Sequence, residues 1–364
     1  MPVTFAKKLE RMPHYEAGLA IDAARERYGT ADVAKLASNE SPWGPHPAVV
    51  EAIAHAASGA NRYPEQFSPT LRRRIAERHD IDPSQVAIGN GSCELLLAAC
   101  EALCEAGAEI VFAWPSFSIY PHLAALSGAR ELRVPLAEGD VHDLDAMLAE
   151  ITVATQLVVV CNPNNPTSTH IPAAEVAAFC DRVPPHAIVI LDEAYVEFQV
   201  NDDPDATVDL LSDLPNLVLL RTFSKVHGLA GLRVGYALGP ARFRAAVDAV
   251  RQPFSVNAIA QAAAAEAIRH QDDVTRRVER TIVERAFLET ELEELGLHSP
   301  PSQANFSWVD LGDHDEDEVV RWLGEGGVIV RAGSGLGGPG HIRVTYGARA
   351  ENERFVAALR DALQ

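Results

Sequence analysis

From about residue 46 to 245, short apolar runs alternate with segments whose apolar residues recur every three or four positions. The runs are Val86 to Ile88, Glu109 to Phe112, Leu157 to Val160, Ala187 to Leu191, Leu217 to Leu220 and Val234 to Leu238. Runs this short and without polar alternation predict strands buried on both faces, and the amphipathic segments between them predict covering helices. Such a βαβ succession predicts an α/β fold with a mostly parallel sheet. After 245 the pattern changes. A long Ala-rich, charged helical region (about 258 to 296) is followed by a strand over Ser302 to Val309, a helix near 315 to 326, strands at Val328 to Val330 and Ile342 to Thr345, and a final helix from 350. That order predicts a smaller α+β domain. The first 35 residues read as an arm with an opening helix, closed by the turn-rich stretch Leu36 to Pro45. The expected division is an arm over 1–35, a large domain over 36–245 and a small domain over 246–364, in keeping with a chain of 364 residues.

Three consecutive predicted strands end in polar residues of different chemistry. Leu157 to Cys161 runs into Asn162-Pro163-Asn164-Asn165-Pro166-Thr167; Ile188 to Leu191 into Asp192-Glu193-Ala194-Tyr195; Leu217 to Leu220 into Arg221-Thr222-Phe223-Ser224-Lys225. In a doubly wound sheet the carboxyl ends of the strands form the ligand crevice. An amide, a carboxylate, a phenol, two hydroxyls and a lysine therefore converge. Singly, each has a plainer reading as a helix cap, a tight turn or a surface residue. Their order and shared strand-end placement favour a site.

Each type suits one edge of pyridoxal 5′-phosphate (PLP). Asp192, beside the pyridine nitrogen, would keep it protonated and the ring an electron sink. Asn165 and Tyr195 would hydrogen-bond the ring 3′-oxygen. Lys225 would hold the aldehyde carbon as a Schiff base and, once displaced, shuttle a proton. Gly91, Ser92 and Cys93 lie where a strand gives way to a helix, whose first N–H groups can hold a phosphate. Thr222, Ser224 and Arg233 would close that cradle, Arg233 lying deep in an apolar context. Phe117, after the strand end at Trp114-Pro115, could stack on the ring or pack in the core.

Composition sharpens this. Of 31 basic residues only four are lysines: Lys7, Lys8, Lys35 and Lys225. A chain that uses Arg almost everywhere keeps one Lys in its body, where Arg could not form an imine. A formal charge of −20 argues against nucleic acid or an anionic membrane surface. No apolar run reaches the roughly 20 residues of a membrane span, and the N-terminus lacks the apolar core of a signal peptide. Five cysteines (93, 100, 104, 161, 180) without C-x-x-C pairs suggest reduced thiols, no structural zinc and a cytoplasmic protein.

The segments N-E-S-P-x-G-P, R-Y-P, G-N-G-S-x-E, N-P-N-N-P-T, D-E-A-Y and R-T-F-S-K-x-x-G-L-A-G-L-R-x-G-Y together resemble the histidinol-phosphate aminotransferase family of fold-type I PLP enzymes. The resemblance covers nearly the whole chain. It implies the fold-type I architecture and assigns the roles above to Lys225, Asp192, Asn165, Tyr195, Ser92, Cys93, Thr222, Ser224 and Arg233. It alone implies three more. Tyr63 would reach the neighbouring subunit's cofactor phosphate, hence a homodimer with sites at the interface. Arg343 would grip the substrate's acidic group, and Arg331 would bind a second anion. Tyr15, Trp114 and Phe117 would flank the substrate side chain. The chain departs from the family at Ser168, where Gly is usual, at Cys93, where Asp is usual, and at His227, where an aromatic is usual. Cys161 to Thr169 and Phe112 to Phe117 are similar to the actinobacterial aromatic amino acid (phenylalanine) aminotransferase branch. The expected reaction is transamination between an aromatic amino acid and a 2-oxo acid such as 2-oxoglutarate, with histidinol phosphate as the alternative donor. A PLP-dependent decarboxylase or C–S lyase on the same scaffold is the more distant reading.

Overall fold

The structure is a computed structural model and describes residues 3–14, 18–30 and 32–364. Its strands in chain order are β1 (Ala34–Lys35), β2 (Val86–Gly89), β3 (Glu109–Trp114), β4 (Arg130–Pro135), β5 (Thr155–Cys161), β6 (Ile188–Asp192), β7 (Leu217–Thr222), β8 (Gly235–Leu238), β9 (Phe306–Asp310), β10 (Val328–Ile329), β11 (Arg331–Ala332) and β12 (His341–Thr345). Seven of them form one sheet in the order β2-β8-β7-β6-β5-β3-β4. All pairings in it are parallel except the two made by β8, which runs against both β2 and β7.

The six apolar runs all become strands of this sheet. Val158 and Val160 of β5 face one core and Leu157 and Val159 the other, so both faces are covered and the strand needs no polar side. β4 is a strand that the pattern did not predict. It is an edge strand, exposed at Arg130 and Arg133 and half-buried at Glu131 and Leu132, and it ends in an exposed Pro135. Charged residues and proline suit an edge, where one row of backbone groups meets no further strand.

The C-terminal third carries the antiparallel sheet β11-β12-β9 under the helices Glu316–Glu325 and Arg349–Ala362. Three expectations need correction there. The helical region splits into Ala258–Ala267 and Gln271–Glu294, broken at Ile268 to His270. The expected strand from Ser302 starts only at Phe306; Ser302 instead folds back, its hydroxyl donating to the Phe306 carbonyl at 2.7 Å. The run Val328 to Val330 is shared, since β10 pairs in parallel with β1 near the N-terminus while β11 begins at Arg331. That pairing ties the opening segment to the C-terminal part. Among the described residues no helix is long and apolar enough to cross a membrane.

Candidate active site

Register brings the polar strand ends to one level. Cys161 pairs with Asp192, Asp192 with Leu220, and Thr222 with Gly235. Above these ends lies a cavity of about 370 Å³. Its walls include Lys225, Asp192, Asn165, Tyr195, Ser92, Cys93, Phe117, Thr222, Ser224, Arg233, Arg331 and Arg343. Residues spread over some 250 positions thus meet in one place.

Asp192 is 2 % exposed, and its Oδ2 accepts a hydrogen bond from the Tyr120 hydroxyl at 2.9 Å. Its Oδ1 is buried without a hydrogen-bond partner. Burial raises its pKa to about 6, with the Tyr120 bond opposing the rise. A buried carboxylate with one oxygen unanswered is costly unless a cation or donor meets it. Lys225 Nζ donates to the Ser38 carbonyl at 3.2 Å and lies 5.4 Å from the centre of the Tyr195 ring. Burial, reinforced by the positive charge of Arg343, lowers its pKa to about 8. About a tenth of the amine is then neutral at pH 7, far more than for an ordinary lysine, as a nucleophile toward an aldehyde requires.

Asn165 is held by Arg343, whose Nη1 donates to the amide oxygen at 2.5 Å while Nη2 donates to the Ala37 carbonyl at 2.8 Å. The Asn165 oxygen is thereby occupied, leaving its NH2 group as the donor available to a ligand. Tyr195 is buried, and burial pushes its phenol pKa up.

The helix Ser92–Leu103 begins beside the cavity with Gly91 as its N-cap. Gly91 sits at φ 75°, and a Cβ there would collide with the Arg233 guanidinium. At Gly235 a Cβ would lie 2.6 Å from the Ser92 backbone nitrogen. Glycine at both places lets the helix start, β8 and Arg233 close together. Thr222 and Ser224 hydroxyls are linked at 3.0 Å, and Arg233 Nη1 reaches the Ser224 hydroxyl at 3.4 Å. Arg233 is exposed, not deeply buried as its apolar neighbours suggested. Its backbone is left-handed at φ 59°, and its guanidinium packs against Gly91 at the helix start.

PLP fits the residues present: an unanswered carboxylate oxygen, a buried low-pKa amine, and a glycine-lined helix start beside an arginine and two hydroxyls. Among the described residues no cluster of three or more His, Cys, Asp or Glu is placed to hold a metal.

Other expected residues lie elsewhere. Tyr63 is 84 % exposed, outside the cavity, and stacks on Phe254 at 5.0 Å. Trp114 is also outside the cavity lining; Arg133 lies over its ring and Gly337 packs against it. Tyr15 lies outside the described residues. Two polar residues at the site went unremarked in the sequence, Tyr120 and Asn39, whose amide donates to the Tyr195 hydroxyl at 3.0 Å. Tyr120 opens the helix Tyr120–Ser127 that follows the strand end at Trp114, a placement near the other strand-end residues.

Comparison with known proteins places the chain in a family. Residues 31–359 match the family described as aminotransferase class I and II. The chain is 42% identical over 358 residues to a histidinol-phosphate aminotransferase of Geobacillus thermodenitrificans, covering 98% of each. It is 41% identical over 362 residues to an aromatic amino acid aminotransferase of Thermobifida fusca, covering 99% of this chain and 97% of the other. Among solved structures, the histidinol-phosphate aminotransferase of Sinorhizobium meliloti in complex with PLP superposes with a TM-score of 0.87 at 30% identity, covering 99% of this chain and 97% of that one. The chain therefore belongs to the class I and II aminotransferases, PLP-dependent enzymes of fold type I that act on amino acids and 2-oxo acids.

Proposed function

We propose that this aminotransferase takes its amino group from an aromatic amino acid and passes it to a 2-oxo acid such as 2-oxoglutarate. The observation that carries the reading is a cavity in which Arg343, one of two buried arginines, shares the lining with Lys225, and in which Phe117, Leu336, Ala194 and Ala37 supply apolar wall among polar residues. Arg343 holds the carboxylate of donor and acceptor alike. The apolar wall takes an aromatic side chain, and Arg331 takes the distal carboxylate of a dicarboxylic acceptor.

When bound, PLP supplies an electron sink for the carbanion that forms at the substrate Cα. Asp192 Oδ1, buried without a hydrogen-bond partner, would keep the pyridine nitrogen protonated. The Asn165 amide and the Tyr195 hydroxyl would donate to the 3′-oxygen. Ser92, Cys93, Thr222, Ser224 and Arg233 would hold the phosphate, and Phe117 would pack against the ring. The Lys225 amine would hold the cofactor at its aldehyde carbon, would be freed when the donor's amine takes its place, and would then be the base that moves the substrate Cα proton. Tyr63, exposed on the single chain, reaches the phosphate of a second copy, so the working form is a homodimer. The parts 1–35, 36–245 and 246–364 serve as arm, cofactor-binding domain and small domain. Five free cysteines support a reducing, cytoplasmic setting.

Histidinol phosphate is the second reading. Two arginines in one cavity also suit a phosphate, and a relative of that name matches over nearly its full length. The cofactor-loaded protein is mixed with L-phenylalanine, L-tyrosine, L-tryptophan or histidinol phosphate, each without an oxo acid, and loss of the visible cofactor band is followed. Fastest loss with an aromatic amino acid, with the matching 2-oxo acid as product, supports the proposal. Fastest loss with histidinol phosphate overturns it, and release of carbon dioxide or of a thiol marks a decarboxylase or C–S lyase instead.

A further inference from the structure

Asn39 is 1 % exposed and lies in the loop after β1, with a left-handed backbone at φ 53°. All four of its hydrogen-bonding groups are engaged. The backbone N–H donates to the Thr345 hydroxyl oxygen at 2.9 Å, and the carbonyl accepts from the Asn305 amide at 3.2 Å. The side-chain oxygen accepts from the Thr345 hydroxyl at 3.1 Å, and the side-chain nitrogen donates to the Tyr195 hydroxyl at 3.0 Å. This arrangement fixes which end of the amide faces Tyr195. In the reverse orientation the buried Thr345 hydroxyl would accept two N–H groups and its own hydrogen would have no acceptor among the described residues. The nitrogen therefore faces Tyr195, whose oxygen accepts. A phenol that accepts on its lone pair directs its own hydrogen elsewhere, and the open direction is the cavity that both residues line.

We propose that Asn39 is a positioning residue that sets Tyr195 as a hydrogen-bond donor into the cofactor cavity, and that Thr345 sets Asn39. The inference rests on the placement of the cofactor's 3′-oxygen near Tyr195. Thr345 lies two residues from Arg343 on β12, so both side chains share one face of that strand. The strand that holds the substrate-facing arginine thus also fixes the polarity of the cofactor-facing phenol. The charged and titratable groups around Tyr195 are Arg343 on β12, Lys225 after β7, Asp192 on β6 and Cys161 on β5; none of them bonds the phenol oxygen in place of Asn39.

The test is the pH at which the visible band of the bound cofactor titrates, read with cofactor affinity and melting temperature. Asn39→Gly keeps both backbone bonds, relieves the left-handed φ and removes only the amide. Losing the donated phenol hydrogen raises that titration pH by about half a unit to one unit, the size of one neutral hydrogen bond. Thr345→Val, which frees the amide to turn, moves it the same way by less, and serves alone if Asn39→Gly does not fold. In a Tyr195→Phe background neither substitution moves it further. A shift in Tyr195→Phe with none in Asn39→Gly, or one that persists in the double variant, overturns the role of Asn39. No shift in Tyr195→Phe itself overturns the cofactor placement instead.

Discussion

Arg343 Nη1 donates to the Asn165 amide oxygen at 2.5 Å across 178 positions of sequence. The arginine proposed to hold the substrate's carboxylate and the amide proposed to hold the cofactor's ring oxygen are thus one bonded unit. Replacing Arg343 by Leu removes the carboxylate partner and frees the amide to turn. The expected loss in kcat/KM for the 2-oxo acid is about 100- to 1000-fold, the scale on which a buried charge loses its partner. Steady-state kinetics with 2-oxoglutarate checks it; a loss under threefold contradicts the assignment.

Asp192 links function to stability. Its folded pKa, about 6, is above that of an exposed aspartate because burial disfavours the charge. Protonated Asp192 contributes stability to the cofactor-free protein below the unfolded value, and that contribution is lost as pH rises through about 6. Asp192→Asn in cofactor-free protein should therefore gain on the parent as pH rises from 4 to 8, by up to about 3 kcal/mol. The same change should nearly abolish turnover. Paired thermal melts across pH read the first effect; a difference in stability independent of pH contradicts it.

Lys225 has a pKa lowered to about 8, so its neutral, nucleophilic form grows as pH rises through that value. Stopped-flow mixing of PLP with cofactor-free protein should show binding that accelerates through pH 8 and then levels. A rate that falls over the same range contradicts the assignment.

Gly91→Ala adds a methyl against the Arg233 guanidinium at a backbone angle of φ 75°. Displacing Arg233 from the cradle should weaken PLP binding by about 10- to 100-fold, a cost of one to three kcal/mol for such strain. Equilibrium titration of cofactor-free protein measures this. Unchanged affinity would remove the helix start from the phosphate site.

The proposed dimer predicts complementation. A Tyr63→Ala chain and a Lys225→Ala chain, mixed and reassembled, form hybrids with one intact site. Activity should recover to about a quarter of the parent's, since half of the pairs are hybrid. No recovery, with mixing verified by native mass spectrometry, contradicts a shared site.

The sheet and most of the cavity were legible in the sequence because burial on both faces leaves an unbroken apolar run, as in Leu157 to Val160. Polar residues directly after such runs then stand out, as Asp192, Asn165 and Lys225 do. β4 was not legible, since an edge strand can be charged along its length. Nor was the direction of β8. It follows β7 through a loop with only a short 3-10 turn at Ala230–Leu232, and a return without a crossover helix runs antiparallel. Asn39 and Tyr120 were missed for another reason. Their meaning lies in partners 306 and 72 positions away, and no local pattern encodes such contacts.

The central claim is that Lys225 carries the cofactor. Reducing the loaded protein with borohydride fixes the cofactor to its lysine, and peptide mass spectrometry then locates it. Only Lys7, Lys8, Lys35 and Lys225 are available. A single tagged peptide containing Lys225 is the predicted result; a tag on any of the other three, or none at all, would contradict it.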